Sequence, residues 1–276
     1  MRGAPGSRTI ASVRVVELSQ GPIDVAALVD ARAIELRAGA GEDAALAAAL
    51  AALRGVRGLR ALCLRSRVRS LPPALTELRG LQRLELVDPE LPGLPLEISR
   101  LSRLRSLRLE LLHLASLPHS VGGLGRLREL EIASHHLCGL PDGVRGLQAL
   151  RSLTLVLDHV YVHDWERPTH VRPRWTQPLE RLFGLLAGLP GLTSLRLGEP
   201  RSLTGRCVLD RLPGEFAGLR ALESLTIGEM GRLALPHGVV MPAVRRIRAP
   251  YGAFDATAEE LAAMFPNASV LRPGDP

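Results

Sequence analysis

Apolar residues recur along this chain in the pattern apolar-x-x-apolar-x-apolar, where x is any residue. Eight copies of the pattern open at Leu59, Leu81, Leu104, Leu127, Leu150, Leu192, Leu222 and Val244. From the first copy to the fifth, the steps between openings are 22, 23, 23 and 23 residues. A repeat of this length predicts a stack of similar supersecondary units, none of which can bury its own apolar face alone.

Each unit is predicted to contain two elements. The last two apolar positions of a copy, such as Leu84 and Leu86, alternate with an outward residue, which is typical of a short parallel strand. Further along the unit, a segment such as LPHSVGGLGRL from Leu117 carries apolar residues spaced as on one face of a helix. The proline of this segment suits the first turn of a helix, where its missing N–H has no partner to lose.

These residues resemble the leucine-rich repeat family, in particular its intracellular class of roughly 23-residue LPxx(L/I)xxLxxL units. The resemblance runs through nearly the whole chain and implies an α/β solenoid, a curved right-handed coil with a parallel concave sheet and short helices or 3-10 turns on its convex side. Members of the family usually tie neighbouring coils with an asparagine after each strand. The matching positions here begin with Arg67, Pro89 and Leu112. We therefore expect backbone and water hydrogen bonds to link the coils there.

The two ends of the array depart from the pattern, as terminal units of a solenoid do. Weaker copies open at Val13 and Ala31 before the array and at Phe265 after it. Thr257 with Glu260 spells a capping box, which predicts a helix in the C-terminal cap. The predicted organisation is a disordered segment over 1–12, capping repeats over 13–58, the solenoid over 59–249 and a C-terminal cap over 250–276. An alanine-rich stretch over 41–55 also predicts a helix.

Two longer steps interrupt the period: Leu192 opens 42 residues after Leu150, and Leu222 opens 30 residues after Leu192. We place the insertions near 158–178 and 198–211, so that both leave the sheet at the same point of adjacent coils. Insertions in solenoids form loops on one face, which is often the binding face.

The first insertion contains both tryptophans of the chain, Trp165 and Trp175, together with Tyr161. Large aromatic side chains anchor many protein interfaces, so we predict that these three residues contact a partner. The alternative is that the rings fold back and fill apolar space on the solenoid.

Two outward columns of side chains are predicted on the sheet, because equivalent residues of neighbouring strands stack ~4.8 Å apart. In the column between the strand leucines, Glu85, Arg108 and Glu131 alternate in sign and can neutralise one another. The column one residue after each opening position is rich in arginine: Arg14, Arg32, Arg60, Gln82, Arg105, Arg128 and Arg151. We predict that the last three bind an acidic protein partner. The alternative is that the nearby glutamates absorb their charge.

Histidines also recur at one equivalent position. His113, His136 and His159 occupy it in three consecutive coils, and His163 follows in the first insertion. Stacked imidazoles could share a metal ion or respond to pH. A metal-binding or pH-sensing protein is therefore the second hypothesis.

Composition narrows the function further. All 35 basic residues are arginine and the net charge is +7. Abundant alanine, glycine and proline indicate a GC-rich bacterial genome, so part of this charge reflects codon usage. The exposed sheet positions lack the aromatic residues on which bases stack, which argues against nucleic acid.

No catalytic signature is present: the sequence has no phosphate loop, nucleophile elbow, zinc-protease helix or kinase motif. It also lacks a signal-peptide core and an 18-residue apolar stretch, and its three cysteines are scattered. We interpret the chain as a cytoplasmic, non-catalytic scaffold that binds a protein, without a cofactor and without membrane contact. A secreted bacterial effector is a third hypothesis.

Overall fold

One parallel sheet of eleven strands runs through the part of the chain that the computed structural model describes. The described residues are 13–21, 23–88, 90–134, 136–157, 176–198, 211–228, 233–250 and 253–271. The strands of the main sheet are β1 (Arg14–Glu17), β2 (Ala33–Ala40), β3 (Ala61–Arg67), β4 (Arg83–Val87), β5 (Ser106–Glu110), β6 (Glu129–Ser134), β7 (Ser152–Leu157), β8 (Ser194–Leu197), β9 (Ser224–Ile227), β11 (Arg246–Arg248) and β13 (Ser269–Leu271). Two short strands, β10 (Leu233–Ala234) and β12 (Phe254–Asp255), pair beside it.

The predicted register of the repeat array is confirmed. The first inward residue of each copy lies in one row of the sheet: Leu62, Leu84, Leu107, Leu130, Leu153, Leu195, Leu225 and Ile247. All of these side chains are at most 1% exposed. Consecutive coils therefore stack strand on strand and share one continuous apolar core.

The predicted register of both terminal copies is wrong by two residues. The spacing aligned Val16 with Ile34, whereas the structure pairs Arg14 with Ile34. At the other end Val270, not Ala268, pairs with Ile247. A shift of two keeps every side chain on the same face of a strand, so the alternation of apolar and polar residues cannot detect it.

Short helical segments cover the other side of the core. The α-helices are α1 (Asp43–Ala52), α2 (Ala74–Glu77), α3 (Leu179–Leu186) and α4 (Ala258–Met264). The 3-10 helices span Leu18–Gln20, Ala26–Leu28, Leu53–Gly55, Leu96–Arg100, His119–Gly123, Asp142–Gly146 and Gly214–Gly218. The described coils thus combine a strand with a short helix or a 3-10 turn, as the sequence predicts.

In the segments that begin at Leu94, Leu117 and Leu140, the proline lies just before the 3-10 turn, whereas the sequence predicts it within the first turn. Pro95, Pro118 and Pro141 are N-cap residues with extended backbone, and the 3-10 turn begins after them. Successive 3-10 turns approach closely, since a Cβ on Gly143 would overlap the carbonyl group of His119. Glycine is therefore required at that contact for a steric reason.

The two helices predicted at the ends of the array are present. In α1, which begins within the alanine-rich stretch, Leu46 and Leu50 are fully buried. At α4 the capping box forms as predicted: Thr257 Oγ1 accepts from the Glu260 N–H, and Glu260 Oε2 accepts from the Thr257 N–H at 2.8 Å. No helix among the described residues is long and apolar enough to span a bilayer.

Aromatic rings replace smaller apolar residues in the core of the C-terminal coils. The ring centroids of Phe183 and Phe216 are 5.5 Å apart, and those of Phe216 and Phe265 are 6.5 Å apart, both in edge-to-face geometry. Phe265 therefore packs at the end of this stack, and the last strand begins after it, at Ser269.

Side chains tie neighbouring coils together after the strands, contrary to the expectation that only backbone and water would do so. Asp88 is 1% exposed, and its carboxylate accepts from the Ser66 hydroxyl at 2.6 Å and from the Val68 N–H at 2.9 Å in the preceding coil. Two coils later, the Ser134 hydroxyl donates to the carbonyl oxygen of Leu114 at 2.8 Å. These polar residues stand one position before the column that the family resemblance singles out.

Candidate partner-binding surface

An ion-pair network covers the exposed face of strands β1–β6. It begins where Arg37 contacts Glu17 and Glu35, at 3.4 and 2.8 Å. It continues through Arg65, which lies 3.3 Å from Glu35 and 3.8 Å from Glu85. The hydrogen bond and charge of Glu35 also raise the pKa of Arg37 above its ordinary value. The charges of this part of the face are therefore largely neutralised within the protein.

The alternation predicted for Glu85, Arg108 and Glu131 is confirmed within this network. Arg108 lies 4.0 Å from Glu85, 3.6 Å from Glu131 and 3.7 Å from Glu110. Exposed pairs of this kind are each worth about 0.2–1 kcal/mol. Their main effect is thus on the charge pattern that a partner meets, and much less on stability.

On β3 the column of charged residues contains Cys63 in place of a charged side chain. Arg65, two residues further along the strand, pairs with the glutamates of the two neighbouring strands. The register puts Cys63 between Glu35 and Glu85. Burial raises the pKa of the Cys63 thiol to about 11, and the charge of Glu85 acts in the same direction. The thiol is therefore neutral and weakly nucleophilic near pH 7.

The predicted arginine stripe, Arg105, Arg128 and Arg151, lies just before strands β5, β6 and β7. The Arg128 N–H donates to the Arg105 carbonyl oxygen, and the Arg151 N–H donates to that of Arg128, both at 2.8 Å. All three side chains are exposed and form no ion pair or side-chain hydrogen bond with another described residue. Glu17, Glu35, Glu85, Glu110 and Glu131 contact other arginines, so none of these glutamates neutralises the stripe.

The charged residues on the exposed face of the sheet change at β7. Acidic residues occur on β1, β2, β4, β5 and β6, whereas β7, β8, β9, β11 and β13 contain none. On the outer face of the sheet these later strands carry mainly hydroxyl groups and arginines: Ser152, Thr154, Ser194, Arg196, Ser224, Thr226, Arg246, Arg248 and Ser269. Repeat spacing is enough to find these columns and their residue types, but which acid pairs with which arginine appears only in the folded sheet.

The strands that precede the two insertions are neighbours, since β7 pairs with β8 along Ser152–Leu155. The first insertion rejoins the solenoid at Gln177, whose side-chain amide accepts from the Leu140 N–H and donates to the Leu140 carbonyl oxygen at 2.8 Å. After the second, Arg211 contacts Glu180 of α3 at 3.0 Å. The described ends of both insertions are thus anchored to the coils beside them.

The aromatic residues predicted to contact a partner, Tyr161, Trp165 and Trp175, lie outside the described residues, as do His159 and His163. Their role stays a prediction.

His113 and His136 do lie side by side, as the repeat spacing predicts. Their ring centroids are 4.8 Å apart with the rings nearly perpendicular, and their Nδ1 atoms are 3.5 Å apart. Within the described ranges, no group of three or more metal-ligating side chains comes together. Metal binding at this pair therefore stays a prediction.

No family model and no curated protein sequence matches the chain. Solved structures do resemble it. TLR13, in its complex with ssRNA13, matches over 94% of this chain and 36% of its own, at 17% identity and a TM-score of 0.60. The leucine-rich repeat domain of the type III effector XopL matches over 80% of this chain and 71% of its own, at 20% identity and a TM-score of 0.50.

A leucine-rich repeat protein of Leptospira interrogans matches over 86% of this chain and 71% of its own at 20% identity, with a TM-score of 0.41 that adds no weight. At identities this low, structural likeness establishes the fold alone. The chain spans only about a third of the TLR13 chain, so nothing about that receptor as a whole is transferred.

Proposed function

Because this chain has the leucine-rich-repeat fold, we propose that it is a non-catalytic module that binds a protein partner through the exposed face of its sheet and the inserted edge. The main support is the arginine stripe. Arg105, Arg128 and Arg151 stand in consecutive coils with no acidic partner among the described residues. Guanidinium groups in such a row fit the carboxylates of an acidic protein surface.

The inserted edge is the second part of the proposed interface. The segment that carries Trp165 and Trp175 leaves the sheet after β7, directly beside the strand that precedes the other insertion. Aromatic anchors next to a charged stripe would combine apolar burial with electrostatic selectivity.

Quantitative affinity purification from host extract tests both parts. A stripe variant (Arg105→Gln, Arg128→Gln, Arg151→Gln) is expected to lose the specific partner. A matched control removes three exposed arginines from the helical side: Arg100→Gln, Arg145→Gln and Arg220→Gln. Equal recovery with the stripe variant and the wild type would contradict the role of the stripe.

An edge variant replaces residues 161–175, which include Tyr161, Trp165 and Trp175, with a short glycine–serine linker. It keeps Thr176 and Gln177, because these residues anchor the returning chain to Cys138 and Leu140. We expect reduced recovery of the same partner. Unchanged recovery means that the edge takes no part in binding.

The alternatives each rest on one observation. Contact between His113 and His136 favours a metal-binding or pH-sensing role. Elemental analysis of the purified protein decides the metal, since less than stoichiometric zinc, nickel or copper removes that candidate. Likeness to XopL favours a secreted effector, and fractionation of the host culture tests that. We place the protein in the cytoplasm, because Cys63 and Cys138 are free thiols.

A further inference from the structure

The strands of the main sheet beyond β7 carry arginines and no acidic residue, although the exposed Glu223 directly precedes β9. The term C-terminal patch denotes six residues on the outer face of β8, β9 and β11: Ser194, Arg196, Ser224, Thr226, Arg246 and Arg248. Its arginines form no ion pair or side-chain hydrogen bond with another described residue. An incoming anion therefore meets available guanidinium groups and does not have to displace an internal partner.

The sheet register gives the patch a defined layout. Arg196 on β8 and Arg248 on β11 both align with Thr226 on β9, which lies between them. At ~4.8 Å per strand, the two arginine backbones are about 10 Å apart. Thr226 is only 8% exposed, whereas both arginines are exposed. The Thr226 hydroxyl thus lies low in the patch, between the exposed side chains of Arg196 and Arg248.

A second row extends the same arrangement. Ser194 on β8 and Arg246 on β11 both align with Ser224. The hydroxyls can donate to an anion that a guanidinium already holds, and the arginine fork can grip a carboxylate through two parallel hydrogen bonds. Together the rows present anion-binding groups over three adjacent strands.

We propose that the C-terminal patch binds an extended, carboxylate-rich segment of the partner, which crosses the strands. This inference rests on the proposed protein-binding function and specifies which chemistry the partner presents. An extended chain in the polyproline II conformation turns once every three residues and advances about 3.1 Å per residue, so side chains three positions apart lie on the same side and about 9 Å apart, close to the ~10 Å between Arg196 and Arg248. Glutamates at every third position would then reach Arg196 and Arg248 together.

The rest of the exposed face restricts where an acidic segment can bind. On β1–β6 the arginines Arg37, Arg65 and Arg108 are already paired with glutamates. A carboxylate placed there would compete with those glutamates and be repelled by them. The acidic segment is therefore disfavoured over the paired arginines of β1–β6, whereas the C-terminal patch and the stripe of Arg105, Arg128 and Arg151 stay available to carboxylates of the partner.

The eleven described strands of the main sheet include no aromatic side chain on which a base could stack. Stacking on aromatic rings is a main source of affinity for single-stranded nucleic acids. We therefore assign the patch to an acidic peptide segment, and nucleic acid becomes an outcome that the experiment must exclude.

Fluorescence polarisation with a labelled peptide tests the assignment. The probe is a roughly twelve-residue peptide with glutamate at every third position among glycine and serine, measured at low ionic strength, where charge effects are least screened. The same peptide with glutamine, and an oligothymidylate of matched charge, are the comparison probes. The patch variant is Arg196→Gln with Arg248→Gln, and the control is Arg100→Gln with Arg145→Gln.

We expect the glutamate peptide to bind the wild type and the control within twofold of each other. The patch variant should bind at least tenfold more weakly, with an unchanged circular dichroism spectrum and melting temperature. The glutamine peptide should not bind measurably.

Three results overturn the inference: no binding of the glutamate peptide to the wild type, equal binding by the patch variant, or tighter binding of the oligothymidylate. If instead the Arg105, Arg128 and Arg151 stripe variant loses the peptide while the patch variant keeps it, the patch assignment fails and the proposed function stands. The proposed function fails separately, in the purification experiment, if neither the stripe nor the edge affects any partner.

Discussion

Replacing Asp88 with asparagine should destabilise the solenoid, although the two side chains have the same shape. The carboxylate meets only donors. Oδ2 accepts from the Ser66 hydroxyl and the Val68 N–H, and Oδ1 accepts from the N–H groups of Glu90 and Leu91 at 2.8 and 3.1 Å. One group thus ties a coil to its predecessor and also shapes the turn that follows the strand.

The expected loss of unfolding free energy follows from the number of donors that the carboxylate serves. An asparagine amide has one acceptor oxygen, so it cannot serve both pairs. If its NH₂ group faces Ser66, the hydroxyl can turn and accept, but the buried Val68 N–H loses its partner. An unsatisfied buried donor costs about 1–3 kcal/mol, and the remaining bonds lose their charge assistance. We expect Asp88→Asn to lower the free energy of unfolding by about 3 kcal/mol.

Urea denaturation followed by circular dichroism at neutral pH measures this change. Asp142→Asn is the matched control, because the Asp142 carboxylate is exposed and, among the side chains that the structure describes, pairs only with the exposed Arg181, at 3.1 Å. The control should change the unfolding free energy by less than about 0.5 kcal/mol. If both variants unfold at the same urea concentration, the buried carboxylate does not link the coils and the reasoning is wrong.

Three further outcomes follow from the packing and the titration of single groups. Phe216→Ala empties the fully buried centre of the aromatic stack and should cost about 3–5 kcal/mol in the same urea assay, whereas a loss below ~1 kcal/mol would contradict that stack. Gly143→Ala should destabilise by about 1–3 kcal/mol because its Cβ overlaps the His119 carbonyl, while Gly125→Ala, which meets nothing within 4 Å, should be nearly neutral. Because the pKa of Cys63 is raised to about 11, its alkylation rate should rise about tenfold per pH unit from pH 7 to 10 and stay below that of the urea-unfolded chain; equal rates at pH 8, measured by peptide mass spectrometry, would refute this.

Features that depend on local chemistry could be predicted from the residues alone. The repeat spacing predicts the row from Leu62 to Ile247, because each copy places its leucines at the same offset and a strand alternates its faces. The capping box at Thr257 needs only two side chains three residues apart. The alternation of Glu85, Arg108 and Glu131 follows from the same offset, since equivalent positions become neighbours in a parallel sheet.

Other features required the assembled coils. A two-residue shift of β1 or β13 leaves the alternation of apolar and polar residues intact, so only the strand pairing in the folded sheet shows those registers. The sequence likewise shows Asp88 only as one more carboxylate, because its four donors come from two separate segments of the chain.

For the charge pattern of the exposed face, too, one part follows from the sequence and another part from the folded structure. The sequence by itself determined the fold and the columns, because both follow from a short-range period. Only the tertiary structure decided that the glutamates bind Arg65 and Arg108 and leave Arg105 and Arg196 without an acidic partner among the described residues. The physical reason is distance: an ion pair forms between the charges that packing brings within a few ångströms, and packing depends on every coil at once.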